Sequence, residues 1–240
     1  MQKYPDISNQ KSNVKDKVVH IYCVKHTHKI SEEVFLKLRN QLPARMQEEI
    51  AAYKHRESAE ASLLGKTVLQ YGFDHLALGV KPEEIKVTPK DRPFLDGPID
   101  FNISHSGHYV IAAIVKNARV GIDIEQHREL DVTLFRRYFD DAEWRIIQSS
   151  PDAMQTFFDY WAVKESAIKC DGRGVEVLSD THLLMNNREE LLTGNGQVTC
   201  AGRLFFYEKI RIDEKYSCSI CCDYPFTFRY SAVTVAELVS

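Results

Sequence analysis

The sequence predicts an α+β protein built from two similar halves, and three observations carry that prediction. An order of strand, helices, then strands occurs roughly twice, divided near residue 118. Residues 109–115 are apolar on both faces, so that strand belongs at the centre of a sheet. The pair Ser150 and Pro151 opens a helical pattern that holds to Cys170 and stops at Gly172, the expected order of start and stop signals. The expected organisation is a polar lead-in over residues 1–17, a first half over 18–118 and a second over 119–240.

The elements follow in order. Residues 18–24 are β-rich, and Ser31 is placed to cap a short helix. Residues 43–71 are helical in spacing, with apolar positions at Met46, Ile50, Tyr53, Leu63, Leu64 and Val68. The polar middle of that stretch, residues 54–60, allows two helices with a bend. Lys81 and Pro82 begin a turn into a strand, and residues 91–98 form a Pro/Gly-rich loop. Strands at 101–105 and 109–115 meet around Ser106 and Gly107, and residues 120–125 make a third. Helical patterns cover 134–137 and 140–148. From Thr181 strands dominate again, at 204–211 and 216–222.

Composition narrows the function. The chain has 240 residues, 44% hydrophobic and 27% charged, with 31 basic and 34 acidic residues for a net charge of −3. No global positive field calls for nucleic acid as a partner. The longest apolar run, residues 109–115, is far short of the roughly 20 residues a membrane helix needs. The first 17 residues have no apolar core of a signal peptide, so a cytoplasmic protein is expected. Six cysteines are scattered through the chain. Cys218 and Cys221 form a C-x-x-C inside a strand, whereas a redox pair wants a helix N-terminus and a zinc site wants a second pair. Buried, reduced cysteines are the expectation.

Three places break their local pattern. In residues 121–125, strand alternation puts Gly121, Asp123 and Glu125 on one face and Ile122 and Ile124 on the other. Two neighbouring carboxylates repel unless a cation lies between them, and hard oxygen ligands beside a bare glycine suit Mg²⁺ and a phosphate. The plain alternative is a solvent-facing edge carrying two harmless acids. In the helix of residues 157–169, Phe158, Trp161, Glu165 and Ile168 share one stripe, which places a carboxylate among apolar side chains. Lys164 and Lys169 flank it; the plain alternative is a surface pair of Glu165 with Lys169. At a strand end, Ser104, His105, Ser106 and Gly107 offer hydroxyls, an imidazole and backbone donors to an anion, although such turns are common. Ser104 and His105 are not a hydrolase pair, because adjacent strand residues point to opposite faces. Three further signals are set aside. Gly65-Lys66-Thr67 lacks the earlier glycine of a phosphate loop, Gly172-Arg173-Gly174 is a helix exit, and His26 with His28 lacks a third metal ligand.

Taken in order, Arg92-Pro93, residues 101–107, residues 120–125 and residues 161–169 resemble the Sfp-type 4′-phosphopantetheinyl transferases. The resemblance extends from about Pro43 to the C-terminus. It implies a monomer of two α+β halves related by a pseudo-two-fold, with coenzyme A between them. It also implies the reaction, in which a serine of an acyl or peptidyl carrier protein attacks the β-phosphate of coenzyme A and 3′,5′-ADP leaves. Asp123, Glu125 and Glu165 match the family's Mg²⁺ positions, which Mn²⁺ would also suit. Lys169 matches the lysine at the pyrophosphate, with Lys164 beside it. Ser104 and His105 match the strand end that meets the coenzyme's phosphates, with His105 near the 3′-phosphate. Arg92 stands where the family usually has Lys, close to the adenine nucleotide. Glu165, Lys169 and Asp123 are thus the expected catalytic set, with Glu165 as metal ligand, serine base or both. One departure concerns the 3′-phosphate. Met46, Glu49 and Ala61 stand where the family tends to place basic residues, with Arg45, Lys54, His55 and Arg56 nearby. Two other classes compete with the transferase: a non-catalytic relic that binds coenzyme A or a carrier protein, and a Mg²⁺-dependent phosphohydrolase.

Overall fold

Strand β1 (Lys17–Lys25) organises the first half of the fold in this computed structural model, which describes residues 17–27, 29–184 and 194–239. Most of the lead-in, and His28 of the His26–His28 pair, lie outside the described residues. β1 pairs antiparallel with β5 (Tyr109–Lys116), which pairs antiparallel with β4 (Ile99–Ser106). Residues 109–115 are buried throughout, as a doubly covered central strand must be. On its other side β1 pairs in parallel with β11 (Phe226–Val233), giving the order β11-β1-β5-β4. The segment expected in the second half therefore lends its last strand to the first sheet.

Helices cover that sheet. Ser31 caps α1 (Glu32–Asn40) by accepting from Val34 N at 3.3 Å. The long helical stretch divides at its polar middle into α2 (Ala44–Ala51) and α3 (Arg56–His75). On α3 a Cβ at Gly72 would meet Tyr22 and Ile114, so the missing side chain sets how closely helix and sheet approach. A small hairpin, β2 (Lys86–Val87) with β3 (Pro93–Phe94), leads into β4.

β6 (Val120–Gln126) follows β5 across a short turn but pairs elsewhere. It begins a second sheet, antiparallel throughout, in the order β6-β10-β9-β8-β7. Its members are β7 (Thr181–Leu183), β8 (Asn195–Cys200), β9 (Arg203–Lys209) and β10 (Tyr216–Cys222). α4 (Asp141–Ser149) is capped by Asp140, with Glu143 completing the capping box. α5 (Ala153–Asp171) lies on this sheet and ends at Gly172, whose φ is +83°. Its cap is Asp152, accepting from Gln155 N at 2.9 Å, rather than Ser150, whose hydroxyl instead accepts from Asp152 N. A Cβ at Gly121 would overlap the Ser166 carbonyl oxygen and Cys170 N, so α5 touches β6 backbone to backbone. A last short helix, α6 (Val235–Val239), packs on the first half.

Each sheet has its own core against its helices, and a third core fills the space between the sheets, with Ile21, Ile111, Ile122 and Ile220 among its members. The α+β class and the two halves are as the sequence predicts. All six cysteines are buried and unpaired. No described helix is long and apolar enough to cross a membrane.

Candidate active site

β4 and β6 run along the junction of the two sheets and face α5, and their alternation decides what reaches the cavity there. The cavity, about 430 Å³, takes Ser104 and His105 from β4, Asp123 and Glu125 from β6, and Trp161, Glu165 and Lys169 from α5. Leu130, Phe135, Phe157 and Phe158 form an apolar wall beside the carboxylates. The strand pattern and the helical stripe of the sequence therefore converge on one hollow. Gly121 leaves room for the backbone of α5 rather than for a phosphate, which brings Glu165 and Lys169 over Asp123.

The charges in this cavity are unbalanced. Lys169 Nζ donates to Asp123 Oδ1 at 2.6 Å and to Ser104 Oγ at 3.0 Å, and Ser104 in turn donates to Asp123 Oδ1 at 3.0 Å. Desolvation alone would lower the Lys169 ammonium, but Asp123, Glu165 and Glu125 outweigh it and hold it above its ordinary value. Glu125 is raised by burial and by Asp123, with Arg128 at 3.2 Å partly offsetting them. Burial, then the Asp123 charge, raises Glu165 to about 7. Asp123 Oδ2 is buried without a hydrogen-bond partner. Three carboxylates thus face one ammonium and one guanidinium, with a buried carboxylate oxygen unsatisfied. That donor set fits a divalent cation with hard-ligand preference.

A tighter set of ligating atoms occurs elsewhere among the described residues. Donor atoms of Asp140, Glu143 and His182 all lie within 4.8 Å of one another. There the fully buried Lys164 pairs with Glu143 at 2.8 Å, so one of the two carboxylates already has a cation. This corrects the reading of Lys164 as a coenzyme contact. One residue from Glu165 is about 100° around the helix, and Lys164 points into the second core, donating to the Thr181 carbonyl.

Arg92 is also placed differently from the expectation. Its guanidinium grips Asp100 through two bonds of 3.0 and 2.7 Å, while Nε donates to the Lys169 carbonyl at 2.9 Å and Nη2 to the Val120 carbonyl at 3.1 Å. Its donors are spent inside the protein. Of the three departures from the basic pattern, Met46 is a core residue, and Glu49 sits on the surface between Arg45 and Lys66. Ala61 lines a second cavity of about 450 Å³ that shares His105 with the first, while Met46 and Glu49 line a smaller one of about 190 Å³ that shares Ile103 with that first cavity. Arg56 is tied to Glu32 and Glu60, both at 2.8 Å. The nitrogen-bearing side chains that do border the second cavity, His26, His108 and Lys29, come from strand ends and a loop. Nothing in the local sequence marks Lys29 or His108, and His26 stands out only as half of the His26–His28 pair. Arg128 is the other group the sequence reading missed, and its signal was its position three residues after Glu125.

The fold and this site define a two-half transferase class, and comparison with known proteins places the chain in it. Residues 27–117 match the family model for the N-terminal part of 4′-phosphopantetheinyl transferase, and residues 119–221 match that of the 4′-phosphopantetheinyl transferase superfamily. The chain belongs to the 4′-phosphopantetheinyl transferase superfamily. It is 29% identical over 208 residues to the 4′-phosphopantetheinyl transferase gsp of Aneurinibacillus migulanus, covering 85% of this chain and 86% of that one. It is 25% identical over 232 residues to the 4′-phosphopantetheinyl transferase Sfp of Bacillus subtilis (strain 168), covering 91% and 99%. A shorter similarity, 28% over 144 residues, 52% of this chain and 48% of the other, links it to the L-aminoadipate-semialdehyde dehydrogenase-phosphopantetheinyl transferase of Xenopus laevis.

Proposed function

We propose that this protein transfers 4′-phosphopantetheine from coenzyme A to a serine of an acyl or peptidyl carrier protein, with Asp123, Glu125 and Glu165 holding Mg²⁺ or Mn²⁺. The observation that carries the metal reading is the buried, unpartnered Asp123 Oδ2 beside two carboxyls raised by burial and by Asp123. A bound divalent cation would neutralise charge on the pyrophosphate as the phosphorus–oxygen bond breaks.

The chain's own residues do the rest. The serine oxygen attacks the β-phosphorus, and the bond to the oxygen bridging toward the nucleotide breaks, so that 3′,5′-ADP leaves with that electron pair. Glu165, whose carboxyl lines the cavity beside Asp123, takes the serine proton on a carboxylate oxygen. Lys169, held cationic among the carboxylates, faces the pyrophosphate, where negative charge grows toward the transition state. Phe135, Phe157, Phe158 and Trp161 exclude water from one side of the reacting atoms. The second cavity takes the nucleotide's 3′-phosphate. His105 forms the common wall, and Lys29, His26 and His108 serve there in place of the basic residues that Met46, Glu49 and Ala61 do not supply. The protein works as a monomer in the cytoplasm, where coenzyme A and carrier proteins occur together.

Incubation with coenzyme A, Mg²⁺ and a panel of apo carrier proteins tests the reading. A carrier gaining the mass of phosphopantetheine supports transfer. Cleavage of coenzyme A without a carrier would mean a phosphohydrolase, and binding without either product would mean a non-catalytic relic.

A further inference from the structure

The junction between β4 and β6 is closed by side chains. Asp100, Asn102, Ser104 and Ser106 each accept from a backbone N–H twenty residues further on: Val120 at 2.9 Å, Ile122 at 3.0 Å, Ile124 at 3.3 Å and Gln126 at 3.0 Å. The period of two means that one face of β4 supplies every rung. β6 is the outer strand of its sheet, and these rungs satisfy N–H groups on its open edge. The Ser104 rung also binds Lys169 and Asp123, so the register of the seam and the place of those two charges are set together. At the other end Arg92 ties Asp100 to the carbonyls of Val120 and Lys169, fixing the last turn of α5 to the same seam.

Resting on the transferase reading above, we propose that Asn102 and Arg92 are positioning residues of the reaction: without touching the coenzyme, they hold Asp123 and Lys169 in their mutual geometry. Asn102 is 5% exposed and lies away from the cavity lining, so its effect must pass through Ile122 and the neighbouring Asp123. A slip of β6 against β4 would carry Asp123 out of reach of Ser104 and Lys169.

Three variants test this: Asn102→Leu, which removes the acceptor; Asn102→Ser, which installs the side chain used by the next two rungs; and Arg92→Lys. Each is assayed below its unfolding transition. Asn102→Leu is expected to lower kcat about tenfold with the KM for coenzyme A nearly unchanged. It should also weaken binding of Mn²⁺ alone, read by calorimetry, by about tenfold. Asn102→Ser should restore both values, and Arg92→Lys should lower kcat without raising KM. A folded Asn102→Leu with wild-type kcat and Mn²⁺ affinity overturns the proposal, as does an Arg92→Lys whose sole effect is a raised KM. If Asn102→Leu does not fold, Ser106→Ala at the half-buried end of the seam decides the matter by the same split. The Mn²⁺ titration needs no transfer, so a wild type that modifies no carrier defeats the functional reading and leaves the seam still decided by metal affinity.

Discussion

Glu165 combines a polar task with an apolar address. Its carboxyl is raised above the usual glutamate value, so between about 4.3 and about 7 the folded chain holds a proton that the unfolded chain has released. Stability from this group is therefore lost as pH rises through that window. A divalent cation would reverse the cost by favouring the ionised form. Mn²⁺ should accordingly raise the melting temperature more at pH 8 than at pH 6; an equal rise at both would remove Glu165 from the metal site. Asp123→Asn and Glu165→Gln should each lower turnover by at least about 10²-fold while the circular dichroism spectrum is retained. Near-normal rates in both would refute the assignment. These carboxylates were legible because each broke a pattern, one on a strand face and one in an apolar stripe. His26, Lys29 and His108 broke no pattern. They meet only when β1 and β5 pair, with His26 N bonded to the His108 carbonyl at 2.8 Å, and a contact so distant in sequence leaves no local mark.

α5 separates two lysines that the sequence sets side by side. Lys164→Met would leave Glu143 buried without its cation and should cost about 3–5 kcal/mol of stability, with the KM for coenzyme A unchanged. Lys169→Met should differ in lowering kcat sharply as well as costing stability, because it strips the cation from the buried Asp123 inside the cavity. Chemical denaturation and steady-state kinetics on the two variants separate the roles. Gly121→Ala should damage both properties, since its methyl would push α5 off β6. The helix itself, its stop at Gly172 and its apolar stripe were readable from spacing alone. The rotation that sends Lys164 inward was not, because it depends on where Glu143 and the Thr181 carbonyl lie. The internal partners of Arg92 were hidden for a related reason. A basic residue before a proline carries no sign of whether its donors meet a ligand or three segments of its own chain.

Across the whole molecule, the two cavities meet at His105, and coenzyme A would have to span both. Partial desolvation and the Lys169 charge lower the His105 imidazole, and burial lowers that of His26. Both are neutral at neutral pH and gain charge as pH falls. The advantage of coenzyme A over its 3′-dephospho analogue should therefore grow as pH is lowered below 6.5, and His105→Ala should shrink it. A ratio of KM values that is flat with pH would place the 3′-phosphate elsewhere. Glu49→Lys, by contrast, should leave coenzyme A affinity unchanged in a calorimetric titration, because Glu49 faces Arg45 and Lys66 rather than either cavity.

The parallel pairing of β1 with β11 has a consequence for how the chain is made. Residues 17–25 leave the ribosome about two hundred residues before 226–233, so one flank of β1 waits through most of synthesis for its neighbour. Until then β1 presents a row of open backbone groups, a template for pairing with other chains. Such a long-range closure is also entropically slow. A nascent chain stalled before Phe226 is therefore expected to be sticky and protease-sensitive even with the acidic cavity's residues already synthesised. Adding residues 226–233 back as a free peptide should recover soluble protein, and a peptide with Pro in place of Ile21's partner Tyr230 should recover less.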